Sequence, residues 1–390
     1  MRGVEGFHPA KRILMTADAV GGVWTYALEL TKALAQYNIE VNLAVMGQSL
    51  LLAQQQEARA LPNLNLFKSE FRLEWMLNPW RDVDRAGDWL LHLENRLRPD
   101  VVHLNGFAHA ALSWKRPALV VAHSCVFSWW RAVHGSEPNA EWEVYRSRVT
   151  RGLRSAKLIV APTQAMLSSL VEHYGRIEGR VIPNGIDAGH FRSGAKEEIV
   201  FTSGRVWDTA KNIESLIQIA PKLNWPVYVA GEYSHPGGVT SEVDLSGAIF
   251  LGRLQTGDVR QWLSRASIYA LPAHYEPFGL SILEAALSGC ALVLGDIPSL
   301  RENWSGAAIF VPPNDRTSLQ AEINRLISNE RQRSALAKNA LERARDFSST
   351  KMAEQYVDVY SELLQSRPTM KVPIRRRPLA RSNVLPVANI

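Results

Sequence analysis

The stretch from His274 to Leu294 constrains the fold of this chain more than any other. It leaves a short apolar run at residues 268–271 and then passes through Pro277 and Gly279. Apolar residues next recur at helical spacing, at Leu280, Leu283, Ala286 and Leu287. A strand, a glycine turn and a helix therefore follow one another.

The start of this helix is a predicted anion site. The amides of Gly279, Leu280 and Ser281 have no partner within the helix, and the aligned peptide dipoles favour a phosphate there. Glu276 and Glu284 bracket the turn. Because carboxylates repel phosphate, we expect both to accept hydrogen bonds from hydroxyl groups of the molecule that carries the phosphate. The alternative is an ordinary strand–turn–helix unit with two surface glutamates.

The run E-P-F-G-L-S-I-L-E-A at residues 276–285 resembles the signature of retaining GT-B glycosyltransferases of family 4, which use nucleotide-sugar donors. The resemblance implies an α/β fold of GT-B type, with two Rossmann-like domains whose parallel sheets face an interdomain cleft. It also implies that Glu276 contacts the donor sugar and that Glu284 holds the ribose. The resemblance places the distal phosphate on the amides of Gly279 and Leu280, and the donor set implied by this run further includes Phe278 and Ser281.

Short apolar segments alternate with helical patterns along the rest of the chain. Predicted strands lie at 11–17, 40–46, 65–67, 101–104, 119–123, 158–161, 199–202, 227–230, 248–251 and 268–271. Predicted helices include 82–98, 140–156, 163–174, 317–328, 330–346 and 349–364. This alternation predicts doubly wound parallel sheets, whose ligands lie at the carboxyl ends of the strands.

A chain of 390 residues suits two domains. The run R-V-I-P-N-G-I-D at residues 180–187 resembles the crossover between the domains of the family. We therefore expect an N-terminal acceptor-side domain at 1–186, with helix 349–365 packing back on it. A nucleotide-sugar domain is expected at 187–348, and residues 366–390 are expected to form a basic, disordered tail.

Three residues in the first half are predicted to face the donor. Gly21 and Gly22 follow the first strand and resemble the glycine loop of the family, where a backbone without Cβ atoms lets a ligand approach closely. His123 ends the strand at 119–123, where the resemblance places a histidine that reaches the donor sugar. A structural hydrogen-bonding role is the alternative for His123.

The segment from Ser124 to Trp142 is unusually aromatic. Phe127, Trp129 and Trp130 could offer flat faces for stacking on a sugar ring, and the resemblance places the acceptor in this half. We assign these three residues to the acceptor side. A buried aromatic cluster is an equal alternative.

The second half offers cations for the diphosphate of the donor. Arg205 and Lys211, in G-R-V-W-D-T-A-K-N, resemble the Arg and Lys pair with which the family grips the diphosphate. Cleavage of a sugar–phosphate bond leaves growing negative charge on the nucleotide diphosphate, and preorganised cations stabilise it. By the same resemblance, the backbone near Arg253 and Leu254 receives the nucleobase.

The resemblance implies a catalytic set of four residues and a front-face substitution that retains anomeric configuration. The set comprises His123, Arg205, Lys211 and Glu276. The predicted donor is a UDP-sugar such as UDP-glucose, with a GDP-sugar as the second choice, and the acceptor is a hydroxyl group. The predicted donor half, residues 187–348, contains no Asp-x-Asp motif, and two cations already neutralise the diphosphate, so neither a metal nor another cofactor is expected.

The net charge of +6 matches the six cations between residues 366 and 390, a segment without Asp or Glu. The remainder is formally neutral, which argues against a nucleic-acid partner. The N-terminus has no signal-peptide core, and two cysteines far apart indicate reduced thiols. We predict a cytoplasmic protein, with peripheral contact at the inner membrane face as an alternative. Rival functions are a GT-B epimerase or phosphorylase, and a non-catalytic protein that binds RNA or lipid through the tail.

Overall fold

Two parallel sheets with helices on their faces form the structure, a computed structural model that describes residues 10–234 and 243–365. The predicted basic tail at 366–390 lies outside the described residues. Within the described ranges, no helix is both long and apolar enough to cross a membrane.

The first sheet has seven parallel strands in the order β3-β2-β1-β4-β5-β6-β7. The strands are β1 (Arg12–Asp18), β2 (Glu40–Met46), β3 (Leu64–Lys68), β4 (Val101–Leu104), β5 (Ala118–Val121), β6 (Leu158–Ala161) and β7 (Gly179–Val181). Its helices are α1 (Gly22–Leu34), α2 (Leu52–Arg59), α3 (Trp80–Leu97), α4 (Val126–His134), α5 (Glu143–Ser155) and α6 (Gln164–Tyr174). The central strands β4 and β5 are buried along their whole length, as expected where helices cover both faces of a sheet.

The second sheet has six parallel strands in the order β10-β9-β8-β11-β12-β13. The strands are β8 (Glu197–Ser203), β9 (Val227–Ala230), β10 (Ile249–Gly252), β11 (Ala266–Leu271), β12 (Ala291–Gly295) and β13 (Ile309–Val311). Its helices are α7 (Ile213–Ile219), α8 (Thr256–Arg265), α9 (Leu280–Leu287), α10 (Pro298–Trp304), α11 (Arg316–Ser328) and α12 (Glu330–Ala344).

The last described helix, α13 (Ser349–Gln365), returns to the first half and packs on α1 and β4. Its aromatic residues surround a buried histidine. The hydroxyl of Tyr360 lies 2.8 Å from Nδ1 of His103, and the hydroxyl of Tyr26 on α1 lies 3.1 Å from Nε2. Burial lowers the pKa of His103 to about 3, so this contact joins neutral groups. The contact between Tyr360 and His103 thereby holds α13 against the core of the first sheet.

Several elements were not apparent in the sequence. Strands β7 and β13 have three residues each, which is too short for a recognisable period. Helix α4 occupies the aromatic segment that follows β5. Both sheets point the carboxyl ends of their central strands into one cleft of about 2340 Å³, the place where ligands of doubly wound sheets bind.

Candidate active site

The cleft brings together almost every residue predicted to contact the substrates. Residues of the first half reach it from the loops after β1 and β5, and residues of the second half from the loops after β8, β10 and β11. The predicted residues that line it are Gly21, Gly22, His123, Trp129, Trp130, Arg205, Lys211, Arg253, Leu254, Glu276, Phe278, Gly279, Leu280, Ser281 and Glu284. The fold thus brings together predicted site residues that lie far apart in the sequence.

The turn before α9 presents free amides to the cleft. Gly279 has a φ of +91°, and a Cβ there would lie 2.6 Å from Cδ1 of Ile282, so glycine is required for this geometry. The carbonyl of Gly279 accepts from the amides of Ile282 and Leu283. Within the described residues, no acceptor pairs with the amides of Gly279, Leu280 or Ser281. The helix start therefore has the geometry of an anion site.

Lys211 and Glu276 form an ion pair at the centre of the cleft. Their Nζ and Oε2 atoms are 2.5 Å apart, and the side chains are 15% and 13% exposed. The pairing follows from the backbone, because the amides of His274 and Tyr275 donate to the carbonyl of Ala210 and hold the two loops together. The sequence analysis assigned a role to each residue but did not indicate that the two contact each other. Lys211 therefore positions the carboxylate of Glu276.

Asp208 links the two halves of the cleft, and the sequence analysis missed it. Its carboxylate accepts from Nη2 of Arg205 at 2.6 Å and from Nε1 of Trp129 at 3.0 Å. Burial opposes ionisation of Asp208, but Arg205 and Lys211 hold its pKa below the ordinary value. The buried carboxylate of Asp208 thus orients both Arg205, which is predicted to bind the diphosphate, and Trp129, which reaches the cleft from the first half of the chain.

We expect Asp208→Asn to reduce kcat/KM for the donor about tenfold. A hydrogen bond to a charged group contributes about 1.5 kcal/mol or more, and Asn cannot pair with Arg205 as an anion. Steady-state rates at varied donor concentration measure the effect. Asp358→Asn, which changes an exposed residue of α13, is the matched control. Equal rates in the two folded variants would show that Arg205 does not depend on Asp208.

Asp18 is a second cleft residue that the sequence analysis missed. It ends β1 directly before the glycine loop, accepts from the amide of Val20 at 2.7 Å and accepts from Nε1 of Trp75 at 3.2 Å. Burial raises the pKa of Asp18 to about 7, although Arg205 acts in the opposite direction. Its position in D-A-V-G-G, at the carboxyl end of a strand, was the available signal.

Glu284 lies inside α9, where its half-buried side chain lines the cleft. Burial raises the pKa of Glu284 to about 7, and the nearby carboxylate of Glu29 adds to this shift. Arg260 of α8 opposes the shift. Close to neutral pH, this carboxyl group therefore changes between a hydrogen-bond donor and an acceptor-only carboxylate.

His123 is neutral in the cleft. Its Nε2 lies 2.9 Å from Oδ1 of Asn105, and its ring meets that of Tyr26 edge-on at 4.4 Å. Burial lowers the pKa of His123 to about 3. His123 is therefore suited to hydrogen bonding rather than to acid catalysis at neutral pH.

One predicted aromatic contact needs correction. The Phe127 ring is 2% exposed and stacks on Tyr145, with ring centres 6.0 Å apart, so its face is not open to an acceptor. Phe278 also packs its ring against Phe347, with ring centres 5.4 Å apart, but it still lines the cleft. Helix periodicity explains the Phe127 error, because residue 127 of α4 faces the core while Trp129 and Trp130 line the cleft.

The remaining predicted positions also line the cleft, and some have additional partners. A Cβ on Gly21 would lie 3.3 Å from Nη1 of Arg205, so the glycine loop of the first half closely approaches the cation of the second. Arg253 pairs with Glu232, and Leu254 beside it lines the cleft. No cluster of three or more His, Cys, Asp or Glu side chains able to hold a metal occurs among residues 10–234 and 243–365.

Two family models divide almost the whole described chain between them. The model for Glycosyltransferase Family 4 matches residues 20–190, and the model for Glycosyl transferases group 1 matches residues 187–343. The chain belongs to glycosyltransferase family 4. It is a transferase, and its two sheets around a cleft are the two halves of a GT-B fold.

Two relatives of this glycosyltransferase have different names. It is 25% identical to the glycogen synthase of Mycobacterium tuberculosis over 334 residues, which cover 77% of this chain and 79% of the relative. It is also 25% identical to the D-inositol 3-phosphate glycosyltransferase of Xylanimonas cellulosilytica, over 90% of this chain and 94% of the relative. One name refers to glycogen and the other to D-inositol 3-phosphate.

Solved structures share the fold of this glycosyltransferase at low sequence identity. Sucrose-phosphate synthase from Thermosynechococcus elongatus superposes with a TM-score of 0.75 at 18% identity, covering 90% of this chain and 99% of that chain. Anabaena HepE in complex with UDP-glucose superposes with a TM-score of 0.69 at 18% identity, covering 90% and 99%.

Proposed function

We propose that this glycosyltransferase moves a sugar from a UDP-sugar, with UDP-glucose as the first candidate, to a hydroxyl acceptor with retention of anomeric configuration. The observation that carries the proposal is the Lys211–Glu276 ion pair beside the free amides at the start of α9. Cations and amides suit the diphosphate, and a carboxylate next to them suits the hydroxyl groups of the sugar. The HepE complex with UDP-glucose supports this choice of donor.

The proposed donor lies along the wall of the cleft that is formed by the second half of the chain. Arg205, Lys211 and the amides of Gly279 and Leu280 hold its diphosphate, while Glu284 accepts hydrogen bonds from the ribose. The backbone near residues 253–254 receives the base. We further propose that residues 187–348 form the donor domain. Residues 1–186, together with helix 349–365, then form the acceptor domain.

In the proposed reaction, the bond between the anomeric carbon and the diphosphate oxygen breaks while the acceptor oxygen bonds to the same carbon. The acceptor proton passes to the departing diphosphate, which leaves from the face that the acceptor enters, so configuration is retained. A carboxylate nucleophile is the other route to retention. Glu276 is already paired with Lys211, which supports its use in holding the sugar. His123, neutral and hydrogen-bonded to Asn105, is placed to hold the same sugar.

A thermal-shift screen with UDP-sugars, GDP-sugars and free nucleotides tests the donor. A ligand at about 100 times its Kd stabilises the folded state by about 2.7 kcal/mol, which is a readily measured rise in Tm. We expect a UDP-sugar to give the largest rise. A screen in which no nucleotide sugar raises Tm would count against the proposal.

A turnover assay with the donor identified in this screen then distinguishes a transferase from an epimerase. Release of free UDP only when an acceptor is present is expected of a transferase, whereas an epimerase needs no acceptor. Nuclear magnetic resonance of the product reports the configuration of the new glycosidic bond. Inversion of that bond would contradict the retaining mechanism.

Donor affinity should rise with pH through the titration of Glu284. Burial raises its pKa to about 7, so below that pH the protonated group accepts hydroxyl hydrogen bonds poorly, and above it the carboxylate accepts them well. We expect Kd for the donor to fall several-fold between about pH 6 and about pH 8.

Isothermal titration at several pH values measures this dependence. Glu284→Gln should bind more weakly and lose the dependence, while Glu354→Gln, an exposed change on α13, should keep it. A dependence that survives in Glu284→Gln would assign the titration to another group.

A further inference from the structure

The wall of the cleft formed by the first half is acidic. Its carboxyl groups are Asp18, Glu29, Glu57, Glu70 and Glu74, of which Asp18, Glu29 and Glu74 have pKa values raised by burial. Among the described residues of this half, its cationic side chains are Lys32 and Arg72. The opposite wall carries the cations of the proposed donor site. The two walls therefore suit different chemical classes of ligand.

Neither cation of the acidic wall is placed as part of a phosphate site. Nζ of Lys32 pairs with Asp187 at 2.7 Å, and Nη1 of Arg72 donates to the carbonyl of Leu77 at 3.3 Å. The histidines of this wall add no charge, because burial lowers the pKa values of His109 and His123. The uncapped start of α1 at Gly21 offers helix amides, but Gly21 lies against Arg205 on the proposed donor side. Away from it, a phosphorylated acceptor would meet more carboxyl groups than cations, whereas phosphate binding relies on clustered cations or helix amides.

The same wall carries a group of half-buried indoles, Trp129, Trp130 and Trp142. The ring centres of Trp129 and Trp130 are 6.2 Å apart, and those of Trp130 and Trp142 are 6.4 Å apart. Trp129 donates its Nε1 proton to Asp208, but no described residue accepts from Nε1 of Trp130 or Trp142. The indoles therefore combine flat apolar surface with unused donors, a combination that suits the C–H face and the hydroxyl groups of a sugar ring.

The cleft is also large enough for an extended acceptor. Its volume is about 2340 Å³, whereas pockets for small ligands measure roughly 300 to 1000 Å³. A nucleotide sugar in the second half leaves room beside the indoles for more than one further ring. Carboxylates that accept from hydroxyl groups line the same space.

We propose that the acceptor is an uncharged glycan whose acceptor-end ring stacks on the indole of Trp130. The inference rests on the proposed transferase function and adds the chemical class of the acceptor. Carboxylates and indoles recognise the glycan through hydroxyl groups and C–H faces, and the wall disfavours acceptors that carry phosphate or diphosphate.

Transfer assays with the donor identified by thermal shift test the inference. The acceptors are neutral gluco-, galacto-, manno- and N-acetylglucosamine oligosaccharides, set against sugar phosphates and a short-chain lipid diphosphate sugar. We expect elongation of at least one neutral glycan and none of the phosphorylated acceptors. Elongation of phosphorylated acceptors alone, or of no acceptor in the panel, would overturn the inference.

Variants locate the glycan on the indole wall. Trp130→Ala should raise the acceptor KM about tenfold with unchanged donor Kd, and Trp130→Phe should raise it less. Trp89→Phe, outside the cleft, is the matched control and should not change either constant. An unchanged acceptor KM in both folded Trp130 variants would contradict stacking there.

Failure of the inference differs from failure of the proposed function. A donor that binds and is consumed with a phosphorylated acceptor keeps the transferase and removes the neutral glycan. Absence of any nucleotide-sugar binding removes the proposed function itself.

Discussion

Lys211→Ala should lower kcat by about 30-fold to 1000-fold while leaving the protein folded. Loss of one preorganised charge from a developing anion costs about 2 to 4 kcal/mol in the transition state. The structure adds a second cause, because Lys211 is also the partner of Glu276 at 2.5 Å. Without the lysine, the carboxylate stays in a partly buried place without its cation and loses its orientation.

Single-turnover rates and thermal melting of Lys211→Ala and the control Lys222→Ala measure the effect. Lys222 lies exposed at the surface outside the cleft, so its removal should not change turnover. Turnover of Lys211→Ala equal to that of the control, in folded protein, would remove Lys211 from the reaction.

A double variant separates the two causes of the Lys211 effect. If Lys211 acts only by positioning Glu276, Lys211→Ala combined with Glu276→Gln should be no slower than the slower single variant. If Lys211 also stabilises the leaving diphosphate, the double variant should be slower than either single variant. Because the residues are in direct contact, we expect partial rather than full additivity.

Glu276→Gln and Glu284→Gln should have opposite kinetic profiles. Glu276 lies in the turn beside the proposed position of the transferred sugar, where orientation of the anomeric carbon controls attack. Its replacement should lower kcat by about tenfold to 100-fold, because a hydrogen bond to a charged group contributes about 1.5 to 3 kcal/mol. Glu284 holds the ribose, which is the same in ground state and transition state, so its loss should mainly raise donor KM.

Initial rates with one donor at saturating acceptor distinguish the two carboxylates. Glu354→Gln on α13 controls for the loss of a glutamate far from the cleft. Identical profiles for the two cleft variants, or the reverse assignment, would show that the roles were placed on the wrong residues.

Much of the donor side could be read from local sequence. The amides before α9 and the carboxylates that flank them lie within the nine residues from 276 to 284, so their spacing follows from a strand, a turn and a helix. The apolar runs likewise indicated the central strands, since strands buried on both faces exclude polar side chains. The short strands β7 and β13 were not predicted, because three residues are too few to show a period.

Contacts between distant segments could not be predicted in this way. Asp208 reads as an ordinary surface residue until the fold places Trp129 of the opposite wall 3.0 Å from it. Phe127 and Trp130 look equivalent in the sequence, yet one lies in the core and the other in the cleft. The side of a helix that faces the core depends on which elements pack against it. Local residue spacing does not reveal those elements.

The sequence by itself determined the family, the two α/β halves and the chemistry of the turn at Gly279, because each depends on residues close together in the chain. Only the tertiary structure decided that Lys211 pairs with Glu276, that Asp208 joins Arg205 to Trp129, and that the first wall of the cleft is acidic. These features depend on the distance and orientation of two sheets. Burial between them sets both which charges meet and how strongly each retains its proton.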